Sequence, residues 1–287
     1  MWKQQLLKTT RGLFEIFVRG EGKPVCITHL YSEFNELGYY FADAFVDRFQ
    51  VILVNLKEAG NSCKADLEEE LGMTESVKDL EAVREELGLE KWSFAGHSTG
   101  GMLGLVYGDL FPGSLEGLVV GGVAASKKYM ENRGSMYCSK SPLNKRLKEI
   151  FAILKSPEAT VEEKRNANQE WTNMSLFNAD KREDYFKSLS SGKVVQRRLD
   201  YYSFQELPEF DIREKLQGIN VPTLVYCGSH DKQCPLYYSE EIHREIPSSQ
   251  LYIFKESNHL PYLEEKSRFL QMVEDFEESL YMKEAEK

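Results

Sequence analysis

Short apolar runs without polar alternation, each followed by a helix-length stretch, constrain this chain more than any other feature. Val25-Cys26-Ile27-Thr28 and Val51-Ile52-Leu53-Val54 come first, then Trp92-Ser93-Phe94-Ala95-Gly96 and Leu118-Val119-Val120. Val221–Cys227 and Gln250–Phe254 close the series. A strand with one face in water alternates polar and apolar residues, whereas one covered on both faces does not. The pattern therefore predicts an α/β fold with a mostly parallel central sheet and helices on both faces. Two β-type stretches, Gln4–Thr10 and Leu13–Arg19, precede the series and turn at Arg11-Gly12. Helices are expected over Thr74–Leu87, with Thr74 as N-cap, and over Thr99–Phe111, Leu236–Glu245 and Tyr262–Leu280. Tyr39–Arg48 reads as amphipathic.

The alternation breaks near residue 124. From about Ser126 to Lys215 the sequence is polar, mostly helical in period and rich in Lys, Glu, Asn and Tyr. At 287 residues the chain is long for one small domain, and an α/β core carrying an insertion accounts for that length. The expected division is core over 1–125, a helical cap over 126–215, and the rest of the core over 216–287. The tail 283–287 is expected to fray.

Lys and Arg number 36 against 46 Asp and Glu, a formal charge of −10. That balance argues against nucleic acid and anionic membrane surfaces as partners. The N-terminus lacks a secretory h-region, and the best apolar window, LEGLVVGGVAA at 115–125, is too short to span a bilayer. Five cysteines (26, 63, 138, 227, 234) form no C-x-x-C pair and have no histidine at zinc-ligand spacing. A cytoplasmic protein without structural metal or cofactor is expected, its oligomeric state open.

Gly96-His97-Ser98-Thr99-Gly100 matches G-x-S-x-G, with a strand running in and a helix running out. In that setting a serine takes strained backbone angles and presents its hydroxyl above the sheet. A serine hydroxyl needs a base to act as a nucleophile. Of five histidines, His97 is too close to the turn to serve Ser98, His243 lies among charged residues of a helix, and His230 reads as structural. His259, in the loop after the last strand, is the expected base. Asp231, in the loop after Val221–Cys227, is the expected acid, orienting the imidazole. Asp109, Asp200 and Asp211 lie in a helix or in the polar insertion and compete poorly.

Together, GHSTGG at 96–101, GSHDKQCP at 228–235 and SNHLPYLEE at 257–265 resemble the nucleophile, acid and histidine regions of the α/β-hydrolase superfamily, in its order and over nearly the whole chain. The likeness is greatest to the proline iminopeptidase-like branch of serine peptidases, which carries a helical cap. NLKEAGNS at 55–62 is similar to that family's D-x-R-G-x-G-x-S segment, with Asn55 and Lys57 at the Asp and Arg positions. Where the iminopeptidases have H-G-G-P-G, this chain has His29-Leu30-Tyr31-Ser32-Glu33. The resemblance implies an oxyanion hole from the Thr99 backbone N–H and one at Leu30 or Tyr31, with Leu30 altering the angles open to the loop. An iminopeptidase also needs cap carboxylates for a substrate ammonium. Glu170, Glu206 and Glu209 are the candidates, with Trp171 and Tyr201-Tyr202 as aromatic faces.

The expected function is a serine hydrolase acting on a small ester, amide or short peptide, its sharpest form releasing an N-terminal residue. Carboxylesterases, lactonases and carbon–carbon bond hydrolases use the same constellation. A non-catalytic ligand receptor on this fold is the alternative class, kept open by Leu30.

Overall fold

The computed structural model describes residues 1–285. Eight strands form one sheet: β1 (Lys3–Thr9), β2 (Gly12–Arg19), β3 (Lys23–Ile27), β5 (Phe49–Val54), β6 (Trp92–His97), β7 (Leu115–Gly121), β9 (Thr223–Gly228) and β10 (Ser249–Phe254). Their spatial order is β1-β2-β5-β3-β6-β7-β9-β10. The β1–β2 hairpin and the β2–β5 contact are antiparallel, and all other neighbours are parallel. Two-residue strands β4 (Ser32–Glu33) and β8 (Lys193–Val194) pair outside this sheet.

The missing polar alternation is explained by burial on both faces. Ile52, Val54, Cys26, Val120 and Val225 belong to one apolar cluster, and Val51, Leu53, Val25, Val119 and Leu224 to the other. Helices α2 (Met73–Glu86), α3 (Thr99–Leu110) and α8 (Leu236–Glu245) cover the first face. Short α1 (Tyr40–Asp43), α9 (Pro261–Glu264) and long α10 (Lys266–Ala285) lie with the second cluster. Filling both faces with close-packed side chains leaves the strand ends and the loops beyond them as the places where polar groups gather.

Between β7 and β9 the chain adds no strand to the sheet. It forms α4 (Asn144–Lys155), α5 (Val161–Met174), α6 (Arg182–Tyr185) and α7 (Gln196–Tyr201), with β8 between the last two. α5 starts at a capping box in which Thr160 and Glu163 satisfy each other's backbone N–H. The excursion leaves and returns at one point, where Ser126 bridges Asp211 and the Ile212 N–H meets the Ala125 carbonyl at 2.8 Å.

Four expectations change. Thr74 is not an N-cap: α2 begins at Met73 after Gly72, and the Met73 N–H is taken by Glu206 Oε1 at 2.6 Å. A carboxylate from a remote segment thus does the work of a local cap and suits the positive end of the helix. Only Tyr40–Asp43 of the 39–48 stretch is α-helix, because the chain continues in turns that bury Phe45 and Phe49. The last expected helix is two, broken at Glu265. The tail continues α10 through Ala285, and 286–287 lie outside the described residues.

In the 55–62 segment, Asn55 and Asn61 both donate to Glu15, a buried carboxylate of β2, at 2.8 and 2.6 Å. Lys57 pairs with Glu70 at 3.1 Å.

Candidate active site

Ser98 stands at the junction of β6 and α3 with φ +56° and ψ −124°, a conformation that costs an L-residue about 1–3 kcal/mol. The surroundings hold it there. Its N–H donates to the Gly121 carbonyl at 2.8 Å, and its carbonyl accepts the Met102 N–H at 3.1 Å. So sharp a turn excludes side chains: a Cβ on Gly96 would lie 2.1 Å from the Gly100 carbonyl oxygen.

The loops after β9 and β10 bring Asp231 and His259 together, with Asp231 Oδ2 2.8 Å from His259 Nδ1. Oδ1 accepts the N–H groups of Gln233 and Cys234, both at 2.8 Å. Both side chains are buried, Asp231 completely, so the carboxylate's charge rests chiefly on these three donors, with the Cys227 thiol a weak fourth at 3.9 Å. With a carboxylate at Nδ1 the proton belongs there, leaving the Nε2 lone pair free to accept another. Asn258 fixes the loop: its amide donates to the carbonyls of Met174 and Leu176, and its Oδ1 accepts the Lys232 N–H. The break at Glu265 also serves this loop. Glu264 accepts the Asn258 N–H and Glu265 that of Glu256, each at 2.9 Å.

His259 lies beside the serine turn, across Gly122. A Cβ on Gly122, itself at φ +56°, would lie 3.0 Å from His259 Cε1 and 2.7 Å from His97 Cε1. The two imidazole rings are 4.6 Å apart. No hydrogen bond joins Ser98 Oγ to His259; in unliganded sites such contacts commonly tighten only when substrate is bound.

Among the described residues, the backbone N–H groups of Leu30, Tyr31 and Thr99 have no protein acceptor. Leu30 is not at positive φ, and its side chain is fully buried in the core. The replacement of glycine therefore imposes no left-handed strain on the loop. His29 ties this loop to the serine turn, with Nε2 3.0 Å from Thr99 Oγ1 and Nδ1 3.0 Å from Ser32 Oγ. Burial, helped by the fields of His259 and Arg198, pushes His29 down to about 3, so it stays neutral. His97 is likewise neutral, held far below its ordinary value by burial, with Nδ1 2.8 Å from the Tyr226 hydroxyl.

The excursion between β7 and β9 brings tyrosines over the turn; the sequence reading named Tyr202 among them but not Tyr129 or Tyr137. The Tyr202 hydroxyl meets Met102 Sδ at 3.5 Å and the Tyr129 hydroxyl at 3.4 Å. Tyr31 packs on Tyr202 with ring centres 5.7 Å apart. Tyr137 donates to Gln233, two residues from Asp231, at 2.8 Å. Burial pushes all four phenols up, so they act as neutral donors. The tyrosine-rich composition of 126–215 was the available signal.

The expected cap contacts fare differently. Glu170 is held in a two-point ion pair with exposed Arg146, at 2.6 and 2.7 Å. Trp171 packs edge-on against Phe151 and joins α5 to α4. Glu209 is exposed. None of the three is hydrogen-bonded to Ser98, Asp231 or His259. Glu206 is half-buried, caps α2 with one oxygen and has a second, buried oxygen without a partner; burial raises its pKa. Tyr201 is partly buried. His230 is exposed and lies against Phe177, and His243 meets Ser249 at 2.8 Å. Asp109, Asp200 and Asp211 bond to Lys215, Gln196 and Arg213, away from His259. No cluster of three or more His, Cys, Asp or Glu among the described residues is placed to hold a metal ion, and no helix there is long and apolar enough to cross a membrane.

A family profile described as the alpha/beta hydrolase fold matches residues 16–266. A curated proline iminopeptidase of Lactobacillus acidophilus is 25% identical over 238 residues, covering 80% of each chain. Another from Saccharolobus solfataricus is 24% identical over 213 residues, 71% of this chain and 68% of that protein. Among solved structures, an alpha/beta fold family hydrolase from Bacillus anthracis superposes with a TM-score of 0.94 at 46% identity, covering 96% of this chain and 99% of that one. An N-acyl homoserine lactone degrading enzyme shares the fold at TM-score 0.70 and 19% identity, over 95% of this chain and 100% of its own.

Proposed function

The chain belongs to the alpha/beta-hydrolase fold family, and on that premise we propose that it is a serine hydrolase of small esters or amides, with Ser98 as nucleophile, His259 as base and Asp231 as orienting acid. The observation that carries this reading is the buried Asp231–His259 pair set beside the strained serine turn. His259 Nε2 takes the Ser98 Oγ proton as Oγ attacks the substrate carbonyl carbon. The oxyanion is received by the backbone N–H of Thr99 and, of the two loop candidates, that of Tyr31. Collapse breaks the bond to the leaving group, which takes the proton from His259. Water, deprotonated by the same imidazole, then releases the acyl group and restores Ser98.

The segment 126–215 acts as a cap whose tyrosines cover the acyl site with neutral hydroxyl donors. This suits an uncharged substrate carrying its own hydrogen-bond acceptors. A second reading, release of an N-terminal residue, is favoured by the iminopeptidase relatives and by the partnerless oxygen of Glu206, which a substrate ammonium would complete. Five unpaired cysteines suit a reducing compartment, which we take to be the cytoplasm.

Wild type and Ser98→Ala assayed on a short-chain nitrophenyl ester and on prolyl-, alanyl- and leucyl-arylamides test both readings. Serine-dependent ester release supports the first, and serine-dependent prolyl release the second. Equal turnover by Ser98→Ala, with contaminating activity excluded, would overturn both.

A further inference from the structure

Arg198 is 1% exposed, although α7 as a whole lies at the surface of the polar segment. Burying a guanidinium is costly unless its donors are matched. Here Nε donates to the Leu30 carbonyl, Nη1 to the Lys57 carbonyl at 3.2 Å, and Nη2 to the Leu71 carbonyl at 3.1 Å and the Ser76 hydroxyl at 2.7 Å. Burial lowers its pKa only to about 10, with Asp79, Glu206 and Glu58 opposing the fall, so it stays charged near neutrality.

The Leu30 contact has a geometric consequence. The Leu30 carbonyl and the Tyr31 N–H belong to one peptide unit, which is planar and trans, so they point in opposite directions. A donor fixed on the carbonyl therefore fixes the direction of the N–H. The next unit is held from the same segment, because the Val195 N–H donates to the Tyr31 carbonyl at 2.8 Å. Ser32 and Glu33 pair with Val194 and Lys193 just beyond. A cation on the carbonyl also polarises the amide and strengthens its N–H as a donor.

We propose that Arg198 is a positioning residue that reaches from the cap segment to aim the Tyr31 N–H at the developing oxyanion. The role rests on the serine-hydrolase reading above. It makes the oxyanion hole of this enzyme a joint product of core and cap: Thr99 is fixed by the serine turn, and Tyr31 by residues 193–198. Lysine cannot replace Arg198, because one ammonium cannot span carbonyls from three separate segments.

The test compares wild type, Arg198→Lys, Arg198→Met and Arg197→Met in ester kinetics and in the rate at which a fluorophosphonate labels Ser98, with circular dichroism confirming folding. Arg197, the preceding residue of the same helix, pairs with Glu58 and Glu68 but does not touch Leu30. That variant therefore removes an anchor of the cap without touching the oxyanion loop. The expected result for both Arg198 variants is a fall in kcat and in labelling rate of about 10²-fold. KM stays within about threefold, the pH profile keeps its shape, and Arg197→Met keeps wild-type kcat. Should Arg198→Met not fold, Arg198→Lys is read alone. Wild-type kcat in a folded Arg198 variant, or an equal fall in Arg197→Met, would overturn the proposal and leave the hydrolase reading standing. A wild-type protein that neither turns over ester nor takes the label would instead overturn that reading, and this inference with it.

Discussion

Asp231 and His259 meet at 2.8 Å through Oδ2 and Nδ1 in a setting that leaves the carboxylate no other orientation, because its second oxygen already accepts two backbone N–H groups. Asp231→Asn therefore has a defined outcome. The asparagine oxygen keeps the two backbone donors, and its NH₂ faces His259 Nδ1, forcing the ring to carry its proton on Nε2. A base protonated at its working nitrogen cannot accept from Ser98. On the proposed mechanism kcat falls about 10³–10⁴-fold with KM little changed, as steady-state ester kinetics would register.

The backbone at Ser98 predicts a conflict between stability and activity. Glycine adopts φ +56° and ψ −124° without the strain serine bears there. Ser98→Gly should abolish turnover yet stabilise the protein by about 1 kcal/mol, after allowance for the greater chain entropy of glycine when unfolded. Ser98→Ala, which keeps a Cβ, should abolish turnover with stability near that of wild type. Urea unfolding of the three proteins checks the ordering.

Gly122 lies under both imidazoles at φ +56°, where a methyl group would press on His97 and His259. Gly122→Ala should cost about 1–3 kcal/mol of stability and should depress kcat beyond that loss by displacing the base. Wild-type kcat in a folded variant would count against His259 lying where the structure has it.

Stability should fall on acidification before the carboxylates titrate. An unfolded imidazole takes a proton below about 6.5, whereas His29 in the folded protein resists until about 3 and burial holds His97 well below its ordinary value too. Below about 6.5 the unfolded state binds more protons, so stability is full above that pH and declines as pH falls, for His29 until about 3. Each histidine contributes a slope of up to about 1.4 kcal/mol per pH unit. Urea unfolding from pH 7 to pH 4 should show the decline, and His29→Asn should lose one histidine's share of it.

The sheet, and the placing of Ser98, Asp231 and His259 at its strand ends, were legible because each of the three follows an apolar run, and strand ends are where a buried sheet delivers polar groups to a loop. Other features depend on distant partners. The cap of α2 is Glu206, 133 residues from Met73, so Thr74 offered a local signal for a role filled from elsewhere. Arg198 sits in Gln196-Arg197-Arg198-Leu199-Asp200, which reads as a solvated helix face; only the fold turns one arginine inward and leaves its neighbour outside. Glu170 matched the type of residue an ammonium site needs, but Arg146 on the adjoining helix claims it. The break at Glu265 was hidden by an unbroken helical period, since its purpose lies in the hydrogen bonds that 264 and 265 give the His259 loop.

The account depends most on Ser98 being a live nucleophile, and covalent labelling reads that without knowledge of the substrate. Wild-type protein and the Ser98→Ala, His259→Ala and Asp231→Asn variants would be treated with a fluorophosphonate, and the modified peptide located by mass spectrometry. The account predicts a single adduct on Ser98 in wild type, none in Ser98→Ala, and labelling at least 10²-fold slower in the other two variants. An adduct on another residue, or labelling of Ser98 at the same rate without His259, would contradict it.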